Sequence, residues 1–210
     1  MENWKRMPDK NGHEIYIAER EDTYSGIMGV STFNYTPEQI LLFIQKEDSM
    51  LKANPLLENL KLIEMMSERD LVFYMKIKGM FVVASRDIVG ISHTITREDG
   101  TMAIFIYSME HPDAPEPPEK VVRADMMIGG WHFVPVDENS TKVYNFAIND
   151  YKGNVPKFIL NLGASTQGVV FKSLLEQMAE AEKENKLEGA KEFQDKFGFK
   201  LVNGKHEKYA

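Results

Sequence analysis

The 210-residue chain contains no cysteine, which excludes a disulfide framework, a thiolate nucleophile and any zinc or iron–sulfur site built on Cys. It also lacks a long apolar run. The longest, Met102 to Tyr107, falls far short of the roughly 18 residues of a membrane-spanning helix. The first residues, Met1-Glu2-Asn3-Trp4-Lys5-Arg6, hold no apolar stretch of signal-peptide length. Excess positive charge is missing as well: 25 Lys and Arg stand against 32 Asp and Glu, a formal charge of −7. That balance argues against constitutive binding to nucleic acid or an anionic membrane. Asn34-Tyr35-Thr36 and Asn139-Ser140-Thr141 match the glycosylation acceptor pattern, but without an export signal both read as chance. These absences together predict a soluble, cytoplasmic protein.

What is present suffices for one core. The chain is 43% apolar, 27% charged and 10% aromatic, which is globular composition at a length that one domain serves best. His13–Glu19 and Gly26–Phe33 read as strands. Thr36, Pro37 and Gln39 form a helix start with a capping box, and Ile40, Phe43 and Ile44 supply an apolar face, predicting helix over 37–48. Pro55 is read as opening a short helical turn through Asn59. Strand patterns then follow one another over Lys61–Met66, Leu71–Lys78, Asp87–Arg97, Thr101–Met109, Lys120–Ile128, Trp131–Val136 and Lys142–Asp150. Turn chemistry at Glu98-Asp99-Gly100 and at 137–140 predicts antiparallel neighbours.

After Asp150 the period changes. Phe158, Ile159, Leu162, Thr166, Val169, Val170, Leu174 and Met178 recur at helical spacing, with Gly163 and Gly168 inside the run as points of close packing or bending. Residues 1–180 are read as one domain, and 181–210 as a charged helical extension and tail on which Leu187, Phe193 and Phe197 are the apolar exceptions. The expected class is α+β: a curved antiparallel sheet wrapped around a long carboxy-terminal helix, a grip that can enclose a hydrophobic cavity.

Several landmarks recur in a fixed order: Arg86-Asp87-Ile88-Val89, His111-Pro112 with Pro115, Val122-Arg123, and Asp150-Tyr151-Lys152-Gly153-Asn154-Val155-Pro156, preceded by Trp4 and Ile15-Tyr16. In this order the chain resembles the StAR-related lipid-transfer (START) family across roughly residues 4 to 178. The amino-terminal helix that precedes the tryptophan in the family has no counterpart in the three residues before Trp4. The resemblance implies a helix-grip fold and a monomeric carrier or sensor of a single amphipathic lipid, with the lipid as cargo and transient contact with membrane surfaces. It implies moving parts at the carboxy-terminal helix and at the loop around His111–Glu119, with Gly153, Gly163 and Gly168 as points of give. No cofactor, metal or nucleic acid enters this reading.

Strand alternation nominates the inward side chains. In Lys142–Asp150 the apolar face carrying Tyr144, Phe146 and Ile148 is expected inside, and Asn145 and Asn149 outside. In Thr101–Met109, Phe105 and Tyr107 share a face, opposed by Ile104 and Ile106. Phe158, Leu162 and Thr166 are the helix's contribution. For each of these, ordinary core packing is the competing account. Ser92 stands six residues after Arg86, where sterol-carrying relatives place an arginine, so a glycerophospholipid or another long-chain amphiphile is favoured over a sterol. Arg123 is a candidate phosphate ligand or a structural partner of Asp125 or Asp87, and Trp131 lines the cavity, packs in the core or forms a membrane-facing edge. Arg86-Asp87 reads as a structural strand entry.

No catalytic motif emerges. His13, His93, His111, His132 and His206 have no metal-ligand spacing, and there is no Gly-x-Ser-x-Gly elbow, phosphate-binding loop or dinucleotide fingerprint. The chain is therefore read as a non-enzyme. Two rivals remain: a helix-grip cyclase or hydrolase acting on a hydrophobic substrate, which needs a polar dyad such as His93 or His132 with an acid inside the cavity, and a lipid-regulated interaction module.

Overall fold

A computed structural model describes residues 4–19, 24–189, 199–202 and 205–208. The chain opens on a hairpin, β1 (Trp4–Lys10) and β2 (His13–Glu19), turned by Asn11 and Gly12, both at positive φ. Asn-Gly is the strongest short hairpin signal, and it adds an edge strand that the charged, Pro8-containing β1 sequence conceals. β3 (Tyr24–Phe33) follows antiparallel to β2.

The predicted helix over 37–48 is two helices. α1 (Pro37–Ile44) starts as expected: Gln39 N–H donates to Thr36 Oγ1 at 3.4 Å and Thr36 N–H to Gln39 Oε1 at 3.0 Å. It is buried almost throughout. Lys46 then takes extended backbone angles, and α2 (Glu47–Ala53) starts afresh. The predicted helical turn from Pro55 to Asn59 does not form; the chain enters β4 (Leu57–Met65) instead. Tertiary pairing decides this, since Leu57, Leu60 and Leu62 lie opposite Ile77, Met75 and Phe73 of the next strand, β5 (Asp70–Ile77).

The strands β6 (Ser85–Thr96), β7 (Met102–Ser108), β8 (Val121–Arg123), β9 (Asp125–Asp137) and β10 (Ser140–Asp150) complete an open sheet with the order β1-β2-β3-β10-β9-β7-β6-β5-β4. One pairing departs from the antiparallel expectation: β8 lies parallel to the start of β6. The break expected at Gly129-Gly130 is also absent, and β9 runs straight through it. Gly130 adopts φ +136°, and a Cβ placed there would lie 1.8 Å from the Ile104 carbonyl oxygen, so glycine serves strand crossing here rather than strand ending.

α3 (Lys157–Lys183) lies across the concave side of the sheet. Two glycines set its approach. A Cβ at Gly29 of β3 would meet the Phe171 ring at 2.7 Å, and one at Gly168 would meet the Lys10 carbonyl oxygen at 2.4 Å. Asn11 Nδ2 also donates to the Gly168 carbonyl at 3.2 Å. Phe171 meets Phe33, Trp131 and His13 edge-on, and with α1, Phe133, Val143, Leu174 and Met178 it packs one end of the concave space solid.

α3 ends at Lys183, three residues into the range 181–210 read as a charged helical extension and tail; Phe199–Val202 (β11) and Lys205–Lys208 (β12) pair as two short strands. Leu187 packs against the core, while Phe193 and Phe197 fall outside the described residues.

Candidate functional site: a cavity beneath the carboxy-terminal helix

Beyond Val170 and Trp131 the space between α3 and the sheet is hollow, with a cavity of about 360 Å³. This lies at the small end of the range of about 300–1,000 Å³ typical of ligand pockets. Its far wall is the alternate face of β5, where Leu71, Phe73, Met75 and Ile77 point in, while Val72 and Tyr74 are buried on the other side. Leu60 and Leu62 of β4 and Ile104 and Ile106 of β7 extend the apolar wall. The hollow exists because several facing positions carry little volume: Ser92, Gly130, Ala147 and Gly163 all border it.

The lining is not uniformly apolar. Ser92 Oγ is committed to the Leu71 carbonyl at 3.4 Å, and Asn145 Nδ2 to the Gly130 carbonyl at 2.9 Å. Arg86, 8% exposed, donates to the backbone carbonyls of Ala84, Tyr151 and Lys152. Burial lowers its pKa. Asn149, 3% exposed, donates from Nδ2 to the Tyr151 hydroxyl at 3.1 Å, and its Oδ1 has no hydrogen-bond partner. The same is true of Gln167 Oε1 on α3.

Of the ten side chains nominated from sequence, the structure brings Ser92, Trp131, Phe146 and Thr166 to the cavity lining. The other six lie elsewhere, and β10 explains much of the difference. Its inward face is the odd-numbered one, with Thr141 and Val143 fully buried and Asn145, Ala147 and Asn149 on the lining. The bulky even-numbered face turns outward: Tyr144 lies against His132, and the Phe146 ring meets Phe105 at 6.4 Å even though Phe146 borders the cavity. The expectation that the apolar face of β10 points inward is thus reversed, because α3 approaches too closely for large residues along that row. On β7, Ile104 and Ile106 take the inward side, leaving Phe105 outside and Tyr107 exposed.

On α3, Phe158 and Leu162 are exposed while Ile159, Leu160 and Gly163 face the cavity. Arg123 is bound to Asp87 and to the Pro115 carbonyl. The lining residues missed by sequence reasoning are mainly Leu71, Phe73, Met75 and Ile77, which alternate with the equally apolar Val72 and Tyr74, so the pattern did not mark which face was inward. The arginine and asparagine of the polar end carried no such signal, since buried polar positions look like exposed ones in a pattern.

The histidine dyads are outside. His93 Nδ1 bonds Asp70 Oδ1, and Asp70 Oδ2 accepts from Ser67 Oγ, on the strand face opposite Ser92. The His–acid pair required inside the cavity by a hydrolase or cyclase reading is therefore not formed by His93, and His132 lies with Tyr144 on the outer face. Among the described residues no cluster of His, Asp and Glu is arranged to hold a metal ion.

This fold has counterparts. The sequence pattern of the START domain family matches residues 1–184. The chain belongs to the START domain family. Human StAR-related lipid transfer protein 5 shares the fold with a TM-score of 0.74 at 18% identity, over 86% of this chain and 88% of that chain. A STAR-related lipid transfer protein fragment from Xanthomonas axonopodis superposes with a TM-score of 0.68 at 17% identity, over 83% and 98% of the two chains. Zhui aromatase/cyclase from a Streptomyces species is more distant, with a TM-score of 0.51 at 11% identity over 76% and 96%. At these identities the likeness is one of fold. Comparison with curated proteins returns no match. As a START domain the chain binds a lipid or similarly hydrophobic ligand, and among the described residues no helix is long and apolar enough to cross a membrane.

Proposed function

We propose that this START domain is a non-enzymatic carrier or sensor that takes one amphipathic lipid from a membrane, encloses its chain beneath α3 and releases it at another. The observation that carries the reading is the apolar cavity between α3 and β4–β7. Exposing one sixteen-carbon chain to water costs on the order of 12 kcal/mol at about 0.8 kcal/mol per methylene, so a lipid leaves a bilayer slowly unless an apolar wall receives it. The cavity supplies that wall.

An apolar patch beside the cavity supports membrane contact. Phe81 and Val82, in the β5–β6 loop, are 83% and 92% exposed, and Phe158 on α3 is 59% exposed. Their neighbours Met80, Val83 and Ile159 line the cavity. A surface that inserts this patch would part the β5–β6 loop from α3 and open the hollow where the two meet, a motion of residues 78–84 in addition to the one expected around His111–Glu119. A glycerophospholipid or similar amphiphile is favoured over a sterol, since position 92 offers a serine hydroxyl already bonded to backbone.

Native mass spectrometry of the purified protein tests the reading. Equimolar lipid, or uptake of one lipid per chain from labelled vesicles, supports it. An empty protein that extracts nothing from vesicles overturns it.

A further inference from the structure

The cavity holds polar chemistry that the protein itself does not balance, gathered where β6 begins and β10 ends. Arg86 makes three of its hydrogen bonds to carbonyls of Ala84, Tyr151 and Lys152. A guanidinium carries five N–H donors, so two remain. Carbonyls are neutral, and among the described residues no carboxylate lies within ion-pairing distance of Arg86: the neighbouring Asp87 is taken by Arg123, and Asp150 pairs with Lys152. The charge is thus buried and uncompensated, an arrangement that costs free energy unless a partner arrives.

Two further groups share the site. The Tyr151 hydroxyl accepts from Asn149 Nδ2 and still has its own proton to donate. Asn149 Oδ1 is buried with no donor facing it. All three residues border the cavity. They therefore present donors with a positive charge beside one vacant acceptor.

We propose that Arg86, Tyr151 and Asn149 form an acid-head site, in which the carboxylate or phosphate oxygens of an amphiphile accept from the free N–H groups of Arg86 and from the Tyr151 hydroxyl. A hydroxyl or N–H next to that acid donates to Asn149 Oδ1. The chain then runs beneath α3, along Leu71, Phe73 and Ile106, toward Trp131. This rests on the lipid-binding reading above and adds the chemistry of the head. It also gives Arg86 a second role besides holding the β10–α3 connection through the Tyr151 and Lys152 carbonyls.

Calorimetric titration with decanoate, decyl phosphate and decan-1-ol, which share a chain and differ in head, tests the proposal on the wild-type protein. The acids are expected to bind about tenfold or more tightly than the alcohol, the effect of a charge-assisted hydrogen bond in a desolvated site. Arg86→Gln is expected to erase that preference by bringing the acids down to the level of the alcohol, and Tyr151→Phe to reduce it about threefold with a lowered melting temperature, because Asn149 Nδ2 loses its acceptor. Should Arg86→Gln not fold, the wild-type series and Tyr151→Phe still decide. Equal binding of all three ligands overturns the acid-head site and keeps the lipid reading; binding of none overturns both. Titration with inorganic phosphate alone separates the sources: competition with decyl phosphate supports an anion site that free ions also fill, and its absence with decyl phosphate bound supports a site reserved for lipid heads.

Discussion

Asp87 and Arg123 are joined by a two-pronged ion pair, with Arg123 Nε donating to Asp87 Oδ1 at 2.8 Å and Nη2 to Oδ2 at 3.1 Å, and the carboxylate has no solvent exposure. The pair ties β8 to the start of β6, the one parallel contact in the sheet. Arg123 is raised in pKa chiefly by its hydrogen bond to Asp87, so the guanidinium is engaged structurally rather than held ready for a phosphate. Arg123→Ala leaves the buried Asp87 charge without its ion-pair partner, with only the Tyr74 hydroxyl beside it, and a loss of about 3 kcal/mol is expected. Urea unfolding measures it. A loss under 1 kcal/mol would show that the pair is not needed.

Gly130 is expected to tolerate no side chain. Its φ of +136° and the 1.8 Å distance from a built Cβ to the Ile104 carbonyl oxygen combine backbone strain with a clash against a neighbouring strand. Gly130→Ala should destabilise by about 2 kcal/mol or more, read as a drop in denaturant midpoint. An unchanged midpoint would mean that β9 and β7 can separate here at little cost.

Phe81 and Phe158 meet edge-on at 6.2 Å across the β5–β6 loop and α3. Both are exposed, so replacing both with serine should alter stability by only about 0.5 kcal/mol. Membrane affinity should fall much further, since burying a phenylalanine is worth about 1.5–3 kcal/mol. In vesicle co-sedimentation the double variant is expected to pellet less than the wild type while still binding a short-chain amphiphile in solution. Pelleting equal to the wild type would remove this patch from membrane docking.

Stability should fall as pH drops below about 6.5. Burial lowers the pKa of His13, which bonds Ser31 and lies edge-on to Phe171, and burial also lowers that of His132, with Arg97 adding to the effect and Asp99 opposing it. Between the ordinary value of 6.5 and the lowered one, the unfolded chain binds a proton that the folded chain refuses, so acid favours unfolding in that window. Asp70, Asp99 and Asp137 have pKa values lowered from 3.8, so they lose their contribution only at lower pH. Denaturant midpoints from pH 7.5 to 5 should therefore decline, and less so in His13→Gln. A flat profile in the wild type contradicts the assignment.

Local signals carried much of the fold. Thr36, Pro37 and Gln39 specify a helix start because their hydrogen bonds close within one turn, and the three-to-four spacing from Ile159 to Met178 specifies α3 because helical periodicity is a property of neighbours in sequence. β4 was less legible: Pro55 and the residues after it suit a helical turn, and only pairing with β5 makes them a strand. Of the site, Trp131 and Thr166 reach the lining, whereas Phe158, Leu162, Tyr107 and Tyr144 do not. Alternation separates a strand's two faces without telling which one a helix will cover.

By itself the sequence determined the alternation of strands, the long amphipathic helix and the ordered landmarks from Arg86 to Pro156, all set by backbone propensity and local spacing. Only tertiary structure decided that the small and polar row of β10 faces inward, that Arg123 belongs to Asp87, and that Arg86, Asn149 and Tyr151 meet at one end of a hollow. Those outcomes depend on how closely α3 approaches the sheet at Gly29 and Gly168 and on contacts between residues tens of positions apart, which no local pattern encodes.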